Sequence, residues 1–268
     1  MEFTIFNVEH GFCGYLISDT NQVALLDCGH GKEFVPSRDL PKAGCNGIEK
    51  FFLSNFDQDH VSDLPKLREK LPIQVFHRNR SIPDDKLKTI KLDAGPLTPQ
   101  MKEALKLNSD YIHEVSDPPD FGAVEFSTYR NKYPDFEDTN NLSLVTVISY
   151  KGLSIIYPGD IEKNGWETLL ENRSLRQDLE DVNIFIASHH GRENGYNEKI
   201  FDFCTPDICV ISDKEKVHET QKDLYAKHAN GVKWDNGDTR YVLTTRSDGH
   251  LHISSQGSGY RITSNYNF

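Results

Sequence analysis

Apolar and polar positions alternate from the first residues of the chain. Residues 3–8, 15–18 and 23–27 predict three short strands, separated by His10-Gly11-Phe12-Cys13-Gly14 and by the turn Asp19-Thr20-Asn21. The apolar run Lys50-Phe51-Phe52-Leu53 predicts a buried strand, and residues 64–71 a short helix after it. The pattern weakens over residues 72–127, where residues 73–76 predict a strand and residues 98–107 a helix that starts at Thr98-Pro99. Residues 117–122 read as a turn, and the polar, aromatic stretch 131–140 as a loop that walls a site. The strongest regularity follows, with strands over 141–150 and 153–157 joined by the turn Lys151-Gly152. Beyond it come a helix over 165–171, a strand over 181–187, a helix over 197–203, a strand over 208–212 and an amphipathic helix over 219–229. A hairpin of residues 241–245 and 250–254 is expected last. With no repeat, low-complexity tract or linker, residues 1–268 are expected to form one domain.

The ends of these strands carry the chemistry. The turn after residue 53 holds Asn55, Asp57, Asp59 and His60. Like charges so close repel unless a cation binds them, and a divalent metal is the usual cation. Asp27 ends the third strand beside Cys28-Gly29-His30-Gly31, Asp160 follows Pro158-Gly159, and Ser188-His189-His190-Gly191 ends the 181–187 strand. Each alone reads equally as a solvated loop, a capped turn or a surface histidine. Four strand ends bearing carboxylate and imidazole groups together suit a divalent metal.

Composition narrows the partners. Apolar residues make up 37% and charged residues 26% of the 268, as in ordinary globular proteins. The five cysteines (Cys13, Cys28, Cys45, Cys204, Cys209) are odd in number and contain no C-x-x-C pair, which points to a reduced, cytoplasmic chain. No signal peptide is visible at Met1-Glu2-Phe3, and no apolar run has the length of a membrane span, so no membrane association is expected. A formal charge of −11 argues against a broad basic footprint on duplex nucleic acid. One basic stretch runs against that balance: Lys66, Arg68, Lys70, Arg78, Arg80, Lys86, Lys88 and Lys91, opposed by Glu69, Asp84 and Asp85. It reads as a solvated surface or as a path for a phosphate-rich substrate.

The order of these motifs resembles that of metallo-β-lactamase-fold hydrolases, whose signature turn is H-x-H-x-D-H. Asp27 matches the early Asp, Asp59 and His60 match the D-H, and Asp160 matches the bridging carboxylate. His190, or its neighbour His189, matches the last ligand. Within that family the chain is most similar to ComEC-type DNA-uptake proteins, whose turn reads H-x-D-x-D-H. The resemblance implies a mixed α/β fold, a four-layer αββα sandwich of two mixed β-sheets flanked by helices. It also implies a metal-dependent hydrolase with a metal-activated water at a one- or two-metal site.

The sequence departs from the pattern at Asn55, at Asp57 and at the middle histidine, where only Asn140 or Asn141 is available. The metal ligands implied are therefore Asn55, Asp57, Asp59, His60, Asn141, Asp160 and His190. Such an oxygen-rich set favours Mn²⁺ or Mg²⁺, with Zn²⁺ as the other candidate. Asp59 and Asp160 would orient the water, with Asp59 as general base, and His189 would serve a phosphate oxygen or the leaving group. Asp27, His10, Asn140, Arg192, Asn194 and Tyr196 are expected around the ligands or against substrate, with Arg246 and His250 as weaker candidates. The expected substrate is a phosphodiester, either single-stranded nucleic acid or a small nucleotide. Two alternatives remain open: a carboxylic-ester, lactone or thioester hydrolase, and a catalytically reduced module with a protein partner in a multi-component system.

Overall fold

A computed structural model describes residues 1–113, 115–214, 219–234, 237–257 and 259–268. The elements in chain order are β1 (Glu2–Ile5), β2 (Gly14–Ile17), β3 (Val23–Leu26), α1 (Pro36–Lys42), β4 (Ile48–Phe52), α2 (Leu64–Lys70), β5 (Ile73–His77), α3 (Asp84–Ala94) and α4 (Pro99–Asp110). Next come β6 (Glu125–Tyr129), β7 (Val145–Tyr150), β8 (Leu153–Tyr157), α5 (Lys163–Leu169), α6 (Arg173–Glu180), β9 (Ile184–Ile186) and β10 (Ile208–Ile211). The chain continues through α7 (Lys222–Ala226), β11 (Val232–Lys233), β12 (Thr239–Arg240), β13 (Val242–Thr244), α8 (Thr245–Asp248), β14 (Leu251–Gln256) and β15 (Gly259–Thr263).

Seven strands in the order β15-β14-β1-β2-β3-β4-β5 make one mixed sheet, and six in the order β13-β10-β9-β8-β7-β6 make the other. The period-2 alternation shows why they stack. Ala24 and Leu26, Ile155 and Tyr157, and Ile184 and Ile186 join one buried cluster between the sheets. Their neighbours Val23 and Leu25 pack with Leu40, Leu64, Leu67, Leu87 and Leu107 from α1 to α4. Ile156 and Phe185 face the other way, toward Trp166, Leu175, Leu179 and Tyr225 of α5, α6 and α7. Both faces of each sheet are thus buried, which gives the four αββα layers.

Several elements differ from the sequence expectation. Residues 141–144 are a turn and not the start of a strand, because the Asp138 carboxylate accepts bonds from Asn141 N (2.7 Å) and from its Nδ2. α1, α3, α6 and β6 were not expected; α6 is capped by Asn172, whose side chain accepts from Ser174 N and Leu175 N. Residues 198–202 form a 3₁₀ turn instead of an α-helix. The expected terminal hairpin does not form. β13 lies parallel to β10 in one sheet, whereas β14 pairs with β1 in the other. Thr244 caps the helical turn between them and the Asp248 carboxylate accepts from Thr244 N (2.8 Å), so the chain crosses between sheets there.

Candidate metal centre

The C-terminal ends of β3, β4, β8 and β9 meet at one end of the sandwich. Two backbone bonds hold them in register: Leu144 N donates to Ser54 O at 2.7 Å, and His189 N donates to Gly159 O at 3.0 Å. Gly159 has φ +61°, and a Cβ there would lie 2.7 Å from the Ser54 Cβ. Only glycine fits that approach, and it sets the direction of Asp160.

Asp27 is wholly buried and lies in the left-handed region with φ +53°. Its Oδ1 accepts from Ser54 N at 2.7 Å; its Oδ2 accepts from Ser54 Oγ, from the Tyr157 hydroxyl and from His60 Nδ1 at 2.7 Å. The His60 proton is therefore on Nδ1, which leaves Nε2 aimed at Asp160 Oδ2, 3.1 Å away. His190 repeats the arrangement. Its Nδ1 donates to Ser212 O at 3.0 Å, and its Nε2 lies 3.1 Å from Asp59 Oδ2 and 3.6 Å from Asp160 Oδ1.

Two imidazole lone pairs thus face two carboxylates, with ligand atoms of Asp59, His60, Asp160 and His190 within 4.8 Å of one another. Such an array needs a cation at its centre: a proton on each Nε2, or a metal ion. The proton balance reflects the same pull. Burial would lower His60 and His190, but the facing carboxylates, Asp160 foremost, raise both. Burial would raise Asp59 and Asp160, but the surrounding histidines hold both well below the usual carboxylate range. Two nitrogens, two carboxylates and outer partners that fix both tautomers fit a divalent metal.

The turn of Ser188–Gly191 is strained. His189 (φ 49°, ψ 48°) and His190 (φ 56°, ψ 27°) are consecutive left-handed residues. Strain of this kind persists where surrounding bonds over-determine it. Here the Trp166 Nε1 bond to Ser188 Oγ (2.8 Å) adds to those of His189 and His190 already given.

His189 points away from the four-residue cluster. Arg192 Nη1 donates to His189 Nε2 at 3.1 Å, so the ring proton sits on Nδ1, buried and 3.6 Å from Glu162 Oε1. Arg192 Nη2 donates to His10 Nε2 at 3.0 Å, and that nitrogen is 3.4 Å from Asp59 Oδ2. Burial, then His190 and Arg192, push His10 down to about 4 against the pull of Asp59, so it is neutral at pH 7. Glu162 Oε1 also accepts from Asn140 Nδ2 (3.0 Å) and Asn194 Nδ2 (2.7 Å). Arg192, Glu162 and Asn194 line an open cleft of about 690 Å³ beside this network.

The other sequence candidates lie elsewhere. Asp57 pairs with the Lys91 ammonium and accepts from Thr139 Oγ1. Asn55 Oδ1 accepts from Asp57 N at 2.8 Å, and its buried Nδ2 has no partner among the described residues. Asn141 is bound by Asp138 and by Glu162 N, so it braces the wall loop and not the cluster. The Tyr196 hydroxyl meets His228 Nε2 at 2.8 Å, Arg246 pairs with Asp213, and His250 Nδ1 accepts from Asn7 N. The sequence reading missed Ser54, Tyr157, Ser212, Glu162 and Lys91. Of these, only Glu162 carries a ligand-type side chain close to a motif, two residues after Asp160.

Comparison with known proteins places this geometry in a fold. No family model matches the chain. ComE operon protein 3 of Bacillus subtilis is 23% identical over 221 residues, covering 77% of this chain and 26% of that protein. The chain therefore spans about a quarter of that relative's length. Among solved structures, the metallo-β-lactamase-fold protein YhfI from Bacillus subtilis aligns with TM-score 0.51 and 11% identity, over 93% of this chain and 99% of that one. CmlA, a diiron β-hydroxylase from Streptomyces venezuelae, aligns with TM-score 0.52 and 14% identity, over 98% of this chain and 54% of that one. The chain has the metallo-β-lactamase fold. That fold carries more than one chemistry, so function rests on the site. Among the described residues no helix is long and apolar enough to cross a membrane.

Proposed function

We propose that the chain is a metal-dependent phosphodiesterase acting on single-stranded nucleic acid or a small nucleotide. One observation carries the reading: His60 and His190 both spend their Nδ1 protons on outer partners and turn Nε2 toward Asp59 and Asp160. A bound divalent ion would supply a Lewis acid for a phosphoryl oxygen and would acidify water. Asp59, whose side chain is 23% exposed, is the ionised base that faces the opening, whereas buried Asp160 holds the centre from beneath. His189 is neutral, because burial and Arg192 lower it, so it is not the proton donor to a leaving group; its one N–H, on Nδ1, lies toward Glu162. Arg192, whose terminal nitrogens are spent on His189 and His10, adds a fixed positive charge beside the centre and holds both rings in place. The similarity to ComE operon protein 3 is compatible with this substrate class.

The same geometry supports a single ion. Asp57 and Asn141, the oxygen donors expected for a second position, are held by Lys91 and Asp138. We therefore assign the centre one ion, bound by Asp59, His60, Asp160 and His190. With two imidazoles in the set, Mn²⁺ and Zn²⁺ suit it better than Mg²⁺.

The test is hydrolysis of bis(p-nitrophenyl) phosphate by metal-stripped protein, with Mn²⁺, Mg²⁺ and Zn²⁺ added back in turn. Metal-dependent cleavage that Asp160→Ala abolishes is expected. Folded protein that is silent with every metal would overturn the reading in favour of a hydrolase of narrow specificity or a catalytically reduced module.

A further inference from the structure

The two sheets each end in an open edge on the same side, at β5 and at β6. A cavity of about 320 Å³ lies between those edges, lined by His77, Arg78, Arg80, Thr128 and Arg130, with Leu144 among its apolar walls. That size is within the range of roughly 300–1,000 Å³ typical of small-molecule sites. In a chain of formal charge −11, no carboxylate is found among the described lining residues. Asp84, whose charge reaches Arg78, is occupied by Asn108 Nδ2 and Ser109 Oγ.

The cations around the cavity are held in different ways. Arg78 is buried, and its guanidinium donates to the Asn108 side chain and to the carbonyls of Phe76, Asn108 and Tyr111. Those acceptors are neutral, so among the described residues its charge is answered only by the more distant Asp84. Arg80 donates to Ile112 O at 3.1 Å, whereas Arg130 has no hydrogen bond or ion pair among the described residues. His77 Nε2 is buried without a partner among the described residues. Arg80 and Arg130 have guanidinium donors left over, and Arg78 adds positive charge although its own fork is spent on protein acceptors. With the His77 nitrogen, this concave, cationic site fits a phosphate group.

Position links the cavity to the metal centre. Leu144, in the cavity wall, donates its N–H to Ser54 O, and Ser54 Oγ is bound to the Asp27 carboxylate that orients His60. Asp27 follows β3, the Asn55–His60 turn follows β4, and His77 ends β5. Adjacent strands are about 5 Å apart, so the cavity lies roughly 10 Å along the same end of the sheet from Asp27. We propose that the cavity between β5 and β6 holds a phosphate group of the substrate other than the one that reacts, through Arg78, Arg80, Arg130 and His77. This rests on the phosphodiester reading above. It selects substrates with two or more phosphates in sequence over single diesters.

The experiment pairs binding with turnover in full-length protein carrying Arg80→Glu and Arg130→Glu, both exposed side chains. Arg78 is left intact because its bonds join β5 to the end of α4. Anisotropy of a fluorescent 12-nucleotide single strand in EDTA gives affinity without catalysis, and bis(p-nitrophenyl) phosphate gives turnover on a substrate with one phosphate. The double variant is expected to bind the strand at least about tenfold more weakly. Two lost phosphate contacts should also flatten the slope of log K against log salt by about 1.4. Turnover of the small diester by the metal-loaded variant should stay within about twofold of wild type. A dinucleotide with a 5′-phosphate separates the sources: equal weakening points to small nucleotides, and weakening of the longer strand alone points to a polymer. Unchanged strand affinity and salt slope would overturn the proposal. Wild-type protein that binds the strand through these arginines but leaves every diester intact would overturn the phosphodiesterase reading and keep the site.

Discussion

Lys91 reaches from α3 to the turn after β4 and sets its ammonium against the Asp57 carboxylate. Its side chain is 4% exposed, so this cation sits where the sequence pattern led us to expect a metal beside Asp57. Thr139 of the wall loop donates to the same carboxylate at 3.2 Å. An ammonium supplies the positive charge and can donate hydrogen bonds, but it is no Lewis acid and does not acidify a bound water as a metal ion does.

Metal analysis is therefore expected to give one divalent ion per chain in wild type and in Asp57→Asn alike. Two ions in wild type, falling to one in the variant, would return Asp57 to the ligand set. Lys91→Met leaves a partly buried carboxylate without its cation and should cost about 3 kcal/mol in urea unfolding. Its metal content should stay at one.

Asp27 acts through His60. Its Oδ2 collects three donors, from Ser54, Tyr157 and His60, and an amide in its place can accept them only through its oxygen. Asp27→Asn is expected to bind metal 10–100-fold more weakly in chelator competition, the usual cost of losing an outer carboxylate. Tyr157→Phe removes one donor but keeps the ring stacked on Phe12, with centroids 3.9 Å apart. It should cost about 1 kcal/mol of stability and leave metal affinity within a few fold. Equal losses in the two variants would mean that packing, and not the carboxylate, positions His60.

These partners mark the limit of what a sequence can show. The central strands β2, β3, β7, β8, β9 and β10 are buried on both faces, so they appear as dense apolar runs and were legible. β6 is an edge strand with no fully buried residue, and its run Glu125-Phe126-Ser127-Thr128-Tyr129 has no such density. α3 hides its periodicity because one of its two buried positions is Lys91, which reads as a surface residue until Asp57 is set beside it. The terminal strands are similar to a hairpin by spacing alone; their true partners, β10 and β1, lie far away in sequence. In the site, carboxylate and imidazole groups at strand ends stand out in one dimension. The hydroxyls of Ser54 and Tyr157 and the carbonyl of Ser212 have no spacing that announces them. Nor could spacing show that Asp57 turns to a lysine and Asn141 to an aspartate.

The cavity between the sheet edges gives a pH prediction. Burial, then Lys50 and Arg78, push His77 down to about 4. An unfolded histidine titrates near ~6.5. Below that pH the unfolded chain takes up the proton first, so stability is intact above ~6.5 and falls as pH drops toward 4. His77→Gln should therefore flatten the decline of the urea midpoint between pH 6.5 and 4, with little change at pH 8. His10, also lowered to about 4, adds a similar decline that the variant keeps. A variant curve parallel to wild type would show that folding leaves the titration of His77 unchanged.

Arg192 makes the sharpest division between positioning and binding. Its two terminal nitrogens donate to two different imidazoles, His189 at 3.1 Å and His10 at 3.0 Å. A guanidinium accepts nothing, so both rings must present lone pairs to it and keep their protons on Nδ1. For His189 that proton is the buried one that lies toward Glu162. Lysine keeps the charge, but its single ammonium lacks the planar fork that meets both rings at once. If Arg192 serves only as a phosphate contact, Arg192→Lys should raise KM and leave kcat alone. If the fork sets both tautomers, kcat on a small phosphodiester should fall by about 10–100-fold with KM within about threefold. A group pre-aimed in the free protein acts on the transition state more than on binding, and losing one such donor typically costs a factor of about 100 or more. We expect the second pattern, because both contacts are already made before any substrate arrives. A rise in KM alone would return Arg192 to substrate binding and leave the tautomer of His189 to Glu162.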